Sequence, residues 1–157
     1  MKALFIGRFQ PLHKGHLSVM KKLLIKHDEL IIGVGSTNKC THKRNPFTYR
    51  QVNKMIKENI QGNYEIIKVN DCDSDIEWIN CITNKLGTNY IVYSGNNWVK
   101  KLFKNIGVKV VHLEREKGIN ATQVRTLIRE GNDSWKKLVP IGTIKVISSL
   151  SDSEISH

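Results

Sequence analysis

Residues 3–35 read ALFIGRFQPLHKGHLSVMKKLLIKHDELIIGVG, and the order of patterns within that stretch decides the fold class. Ala3–Ile6 is a short apolar run closed by Gly7, the mark of a buried strand. Leu17, Met20 and Leu24 follow at helical spacing and predict an amphipathic helix over roughly 15–27. Leu30–Val34 is a second apolar run, ended by Gly35-Ser36. Strand, helix and strand in so few residues read as one turn of a parallel α/β sheet.

The alternation continues outward from there. Residues 37–47 are polar, contain Pro46, and form a loop long enough to be functional. Val52, Met55, Ile56 and Ile60 mark a second helix that stops near Gly62, and Tyr64–Val69 is a third strand. Ile76, Trp78, Ile79, Ile82 and Leu86 make the stripe of a third helix closed by Gly87. Tyr90–Tyr93 is a fourth strand, followed by a helix of roughly 96–106 and a fifth strand, Val108–Leu113. The tail carries only helical patterns, over 121–130, 134–138 and 140–149. The expected architecture is α/β: a doubly wound, five-stranded parallel sheet with helices on both faces and a helical C-terminal tail. No repeat or linker interrupts it, so residues 1–157 read as a single domain, with a sheet core over about 1–113 and the tail over 114–157. Sheets of this kind bind ligands beyond the carboxyl ends of their strands, where the strand order reverses.

Composition narrows the function. The chain has 157 residues, of which 39% are hydrophobic and 25% charged, a globular balance. No apolar run approaches the roughly 18 residues of a membrane span, and residues 1–6 lead straight into Gly7-Arg8 with no leader-like apolar region. The three cysteines, Cys40, Cys72 and Cys81, are odd in number and form no C-x-x-C pair. That argues against a disulfide scaffold or a zinc knuckle, for ordinary free thiols, and for a cytoplasmic location. The net charge is +11, and it is uneven: residues 1–70 hold 13 Lys and Arg against 4 Asp and Glu, residues 71–157 hold 12 against 10. An anionic partner follows, either nucleic acid or a small phosphorylated ligand. Aromatic residues are 7% and are not interleaved with the bases, which disfavours nucleic acid.

Between the first strand and first helix stand Gly7-Arg8-Phe9-Gln10-Pro11-Leu12-His13-Lys14-Gly15-His16. Gly7 lets backbone approach a ligand, Gly15 relieves crowding at the helix start, and a helix N-terminus offers free N–H groups to phosphate. A His pair three apart could also hold a metal, but no third ligand is placed nearby to complete a site. Further on, Thr122 is a plausible helix N-cap. Trp78 falls on the apolar stripe of its helix, and Asp71, Asp73, Asp75 and Glu77 form an acidic run around it with no intervening base. Gly33-x-Gly35 lacks the third glycine of a dinucleotide fingerprint and reads as a place where backbone passes close to a nucleotide.

His13-Lys14-Gly15-His16 has the H-x-G-H form of the nucleotidyltransferases, and the whole run from Gly7 to His16 resembles the archaeal-type nicotinamide mononucleotide (NMN) adenylyltransferases. The resemblance extends through Gly33-Val34-Gly35-Ser36, Arg44-Asn45-Pro46-Phe47-Thr48, Tyr93-Ser94-Gly95-Asn96, Ala121-Thr122-Gln123-Val124-Arg125 and Leu138-Val139-Pro140. It implies a Rossmann-like fold and transfer of AMP from ATP to NMN, giving NAD and pyrophosphate by in-line displacement. It implies that His13 and His16 contact the phosphates, with His16 nearest the α-phosphate. Arg8 and Arg44 would bind phosphates of the two nucleotides, with Arg8, Arg44 and Arg125 counted in the catalytic set. Gly7, Phe9 and Gly15 would complete the ATP side, and Thr122 and Arg125 would form a second phosphate motif. Arg44, Asp71, Trp78, Gly33 and Ser36 would serve the nicotinamide nucleotide, Trp78 by stacking on its cationic ring. Mg²⁺ is expected to ride on phosphate oxygens and water, with no protein metal ligand. A homo-oligomer is expected, with neither nucleic acid nor membrane as partner. Flavin mononucleotide (FMN) and phosphopantetheine are the alternative acceptors. The chain departs from the family pattern in three places: Asn120-Ala121 replaces Ser-Gly, Tyr49-Arg50-Gln51 replaces Gly-Glu-Arg, and Asp75 replaces an Asn.

Overall fold

The computed structural model describes residues 1–39, 43–114, 117–151 and 154–155; Cys40 lies outside them. Five strands, β1 (Lys2–Gly7), β2 (Leu30–Gly35), β3 (Tyr64–Val69), β4 (Tyr90–Ser94) and β5 (Val110–His112), alternate with helices α1 (Lys14–Lys26), α2 (Tyr49–Asn59), α3 (Asp75–Leu86) and α4 (Asn97–Asn105). The sheet is parallel throughout, in the order β3-β2-β1-β4-β5. The chain therefore leaves β1 in one direction, returns, and builds the other half from β4. The switch point lies between β1 and β4, beside the motif loop.

The pleat of β1 explains the two-sided core. Ala3 and Phe5 face one layer with Met20 and Leu23 of α1 and Val52, Met55 and Ile56 of α2. Leu4 faces the other with Trp78, Ile79 and Ile82 of α3 and Val99, Leu102 and Phe103 of α4. Both faces being covered is why these strands are apolar runs and not alternating ones. The tail adds α5 (Ala121–Arg129), a 3-10 turn over Asp133–Lys137, and α6 (Ile141–Ser148), which packs on α2.

The structure corrects two expectations. The fifth strand is shorter than Val108–Leu113, because the Val108 N–H is taken at 3.1 Å by the carbonyl of Phe103 and closes α4. The segment expected to be helical at 134–138 is a 3-10 turn over Asp133–Lys137; Asn132 caps it by accepting from Ser134 N at 3.0 Å.

Candidate active site

The H-x-G-H run caps α1 with its own imidazoles. His13 is the N-cap, and its Nδ1 accepts from the backbone of Gly15 at 3.1 Å and of His16 at 3.3 Å. His16, three residues on, returns the bond: its Nδ1 accepts the His13 N–H at 3.2 Å. This is a reciprocal capping box built from two histidines. With Nδ1 accepting, each neutral ring carries its proton on Nε2 and so presents a donor to an anion. The rings stack at 3.6 Å and 17°, and Phe9 meets His16 edge-on at 4.9 Å. Burial first, and the neighbouring His13 second, push the His16 imidazole well below the ordinary histidine value. At neutral pH His16 is therefore an uncharged N–H donor.

Phe9 sits at φ +50° and is 1% exposed. Its ring fills the space where a Cβ on residue 7 would come within 2.8 Å, so Gly7 is required by Phe9 as much as by any ligand. A bulky residue held in the left-handed region beside His13 and His16 is local backbone strain.

A cleft of about 340 Å³ opens over this loop. Gly7, Arg8, Phe9, His13, Gly15, His16, Thr122 and Arg125 all line it, so the structure brings the whole expected ATP side together. Thr122 is not the N-cap of α5. Asn120 is, accepting from Gln123 N at 2.8 Å. Thr122 Oγ1 instead accepts from Arg125 at 3.2 Å, while the other Arg125 nitrogen donates to the Gln10 carbonyl at 2.9 Å. Burial lowers the Arg125 pKa, and Arg8, Arg129 and Arg44 reinforce the shift by repulsion. Among the described residues no arginine has a carboxylate partner; the ion pairs present involve Met1, Lys2 and Lys136. Like charges gathered without an ion-paired carboxylate among the described residues favour a bound anion.

The loop is also held from behind. The Gln10 side chain accepts from and donates to the backbone of Phe47, both at 2.9 Å, which ties the loop to the segment carrying Arg44. Thr143 of α6 is fully buried and donates to the Leu12 carbonyl at 3.0 Å. Asn59 of α2 donates to Thr143 Oγ1 at 3.1 Å and accepts from Gly142 N at 2.9 Å. The Leu138 carbonyl takes the Lys14 N–H at 3.1 Å.

The expected nicotinamide side is scattered by comparison. Arg44 is exposed, close enough to Arg125 to act on its charge but outside the cleft wall. Ser36 donates to Asp71 at 2.8 Å, joining the loops after β2 and β3. Gly33 is buried in β2, paired with Ile6. Trp78 is 5% exposed and belongs to the second core layer, with the ring of Trp98 at 4.7 Å and 52°. Trp98 donates its indole N–H to Asp75 at 2.9 Å. The sulfurs of Cys72 and Cys81 lie 3.9 Å apart.

Sequence reasoning assigned no role to the Ser94-Gly95-Asn96 end of β4, to Gln10 or to Thr143. The first lines the cleft across from β1, a place that strand order alone would have marked, since β4 adjoins β1 at the switch point. No group of three or more His, Cys, Asp or Glu able to hold a metal exists among the described residues, and no helix among them is long and apolar enough to cross a membrane.

An open parallel sheet with a capped helix start facing a cleft at its switch point is the architecture of a nucleotide-binding α/β protein. The chain belongs to the cytidylyltransferase-like family, which it matches over residues 4–130. It is 37% identical over 155 residues to a nicotinamide-nucleotide adenylyltransferase of Methanococcus maripaludis, covering 96% of this chain and 90% of that protein. It is 35% identical to the nicotinamide-nucleotide adenylyltransferase of Archaeoglobus fulgidus over 161 residues, covering 96% and 92%. Among solved structures it is similar to a bifunctional NMN adenylyltransferase/ADP ribose pyrophosphatase from Francisella tularensis complexed with AMP and a manganese ion. The TM-score is 0.69 at 20% identity, over 94% of this chain and 52% of that longer one.

Proposed function

We propose that this protein is a nicotinamide-nucleotide adenylyltransferase that joins NMN to the AMP moiety of ATP. The observation that carries the proposal is the convergence, in one cleft at the switch point, of a mutually capped His pair with two arginines, Arg8 and Arg125, that have no carboxylate partner among the described residues. Kinship with archaeal enzymes of that name supports the same reading. In the reaction a phosphate oxygen of NMN bonds to the α-phosphorus of ATP, the bond from that phosphorus to the α,β-bridging oxygen breaks, and pyrophosphate leaves. No protein nucleophile is needed, so the chain acts by positioning and by stabilising charge. His16 donates Nε2–H to the α-phosphate as charge builds there. His13, Arg8 and Arg125 hold the remaining ATP phosphates, with Thr122 orienting Arg125. Arg44 takes the phosphate of NMN.

A divalent cation, Mg²⁺ in our reading, neutralises the triphosphate when bound. Among the described residues the cleft offers one carboxylate, Glu114, so such an ion would rest chiefly on phosphate oxygens and water. We place the protein in the cytoplasm as a homo-oligomer. The test is pyrophosphate release from ATP with NMN, FMN or phosphopantetheine as acceptor, with the nucleotide product resolved by chromatography. NAD formation from NMN alone is expected; turnover only with FMN or phosphopantetheine would overturn the choice of acceptor.

A further inference from the structure

Cys72 and Cys81 take no part in the proposed reaction, and neither lines the cleft. The fold nevertheless sets them side by side. Cys72 stands in the loop after β3, half-buried against the second core layer, and Cys81 is exposed on the second turn of α3. Their sulfurs, nine residues apart in sequence, are 3.9 Å apart in space. They meet because Ser74 turns the chain into α3, its hydroxyl accepting from Glu77 N at 3.2 Å. The pair also adjoins two loops that are bonded together. Asp71 accepts from Ser36 Oγ at 2.8 Å, donates its N–H to Asn38 Oδ1 at 2.9 Å, and accepts from Asn38 Nδ2 at 3.0 Å.

We propose that Cys72 and Cys81 are a reversible redox site, oxidised by a hydroperoxide to a disulfide that staples α3 to these loops. In a reducing compartment the pair rests as two thiols. The exposed Cys81 sulfur meets the oxidant first. It attacks the O–O bond and takes one oxygen as a sulfenic acid, and the departing hydroxide leaves as water with the Cys81 proton. The Cys72 sulfur then attacks the sulfenic sulfur. The S–S bond forms, the S–O bond breaks, and the leaving hydroxide takes the Cys72 proton. Two thiols thus lose two electrons and two protons, and one hydroperoxide becomes water and an alcohol, or two waters from hydrogen peroxide. Burial first, then Cys81 and the carboxylates of Glu77 and Asp71, push the Cys72 thiol up, which suits it to the second step and not the first. Bond formation needs each sulfur to swing by only about 0.9 Å, from contact distance to the roughly 2.05 Å of a disulfide. The closed loop spans the start of α3, and such a staple narrows the unfolded ensemble.

The test treats the full chain carrying Cys40→Ser with a small excess of hydrogen peroxide, then alkylates free thiols and maps tryptic peptides by mass. Cleavage after Lys68 and Lys85 leaves both cysteines in one peptide, residues 69–85. That peptide is expected unalkylated and lighter by two hydrogens, about 2 Da, and dithiothreitol is expected to restore two alkylated thiols. The oxidised chain is expected to melt about 4–8 °C above the reduced one. Cys81→Ser, whose exposed position tolerates the change, is expected to melt alike with and without peroxide. Cys81 recovered as a sulfinic acid with Cys72 still free to alkylate would overturn the proposal. A disulfide joining two copies of the chain would overturn it as well, and so would an oxidised chain melting at or below the reduced one.

Discussion

His13 and His16 hold one another: each accepts the other's backbone N–H on Nδ1, at 3.3 and 3.2 Å. The pair is the cap of α1 and, in the proposed reaction, also the donor set for a phosphate. The spacing H-x-x-H therefore answers a geometric need of the helix, N-cap to N3, before it answers any need of the reaction.

These two roles separate by substitution. His16→Ala is expected to lower turnover at least about 100-fold with little change in nucleotide KM, because its donor acts chiefly on charge that develops in the transition state. It is also expected to cost about 0.5–2 kcal/mol of stability through the lost cap. His16→Asn can still accept the His13 N–H, so it should regain most of that stability and little of the turnover. Thermal melts beside steady-state rates check both.

The depressed His16 pKa makes stability depend on pH. The unfolded chain takes up a proton near pH 6.5, whereas the folded imidazole resists it until a lower pH. Below about pH 6.5 the unfolded state thus binds more protons, and stability falls as pH falls until the folded pKa is passed. The advantage of wild type over His16→Asn in urea unfolding should accordingly shrink between pH 7.5 and 5.

Thr143 is far from the cleft in sequence but bonded to Leu12, the residue before His13. Thr143→Val keeps the shape and strands the Leu12 carbonyl and an Asn59 N–H, an expected cost of about 1–3 kcal/mol. Turnover should fall with it, and Thr143→Ser should restore both. Gly142→Ala would place a Cβ 2.5 Å from Asn59 Oδ1 and is expected to destabilise by about 1–3 kcal/mol. Chemical denaturation with parallel activity assays reads these effects.

Trp78→Ala is expected to behave as a core truncation, costing about 3–5 kcal/mol. Both KM values should then move together. A large rise in the NMN value alone, without loss of stability, would return the stacking role to Trp78.

The sheet was legible because its signal is repetitive: apolar runs closed by glycine, separated by helical stripes, specify parallel strands under two helical layers. That the residues of the expected ATP side would meet was legible because they sit in two short stretches, the loop from Gly7 to His16 and the turn of Thr122 and Arg125, which line one cleft. The contact of Trp98 with Trp78 and Asp75 was not legible, because nothing local in the sequence marks it and only packing brings the three together. The family departures become intelligible for the same reason. Asn120 caps α5 where a serine is usual, Gln51 closes the Thr48 capping box of α2, and Asp75 orients an indole. Thr122 was misplaced as a cap because Asn120, two residues earlier, is an equally good one and gets there first.

The bonds from Leu138 and Thr143 to residues 14 and 12 set an order of events during synthesis. The strands of the sheet have all emerged once β5 is made, yet the histidine loop lacks its rear support, and the α1–α2 layer part of its core, until the tail docks. The site is thus completed by the last segment of chain to appear. A chain released before residue 143 would lack both this rear support and the Val146 and Ile147 side chains that α6 adds to the core.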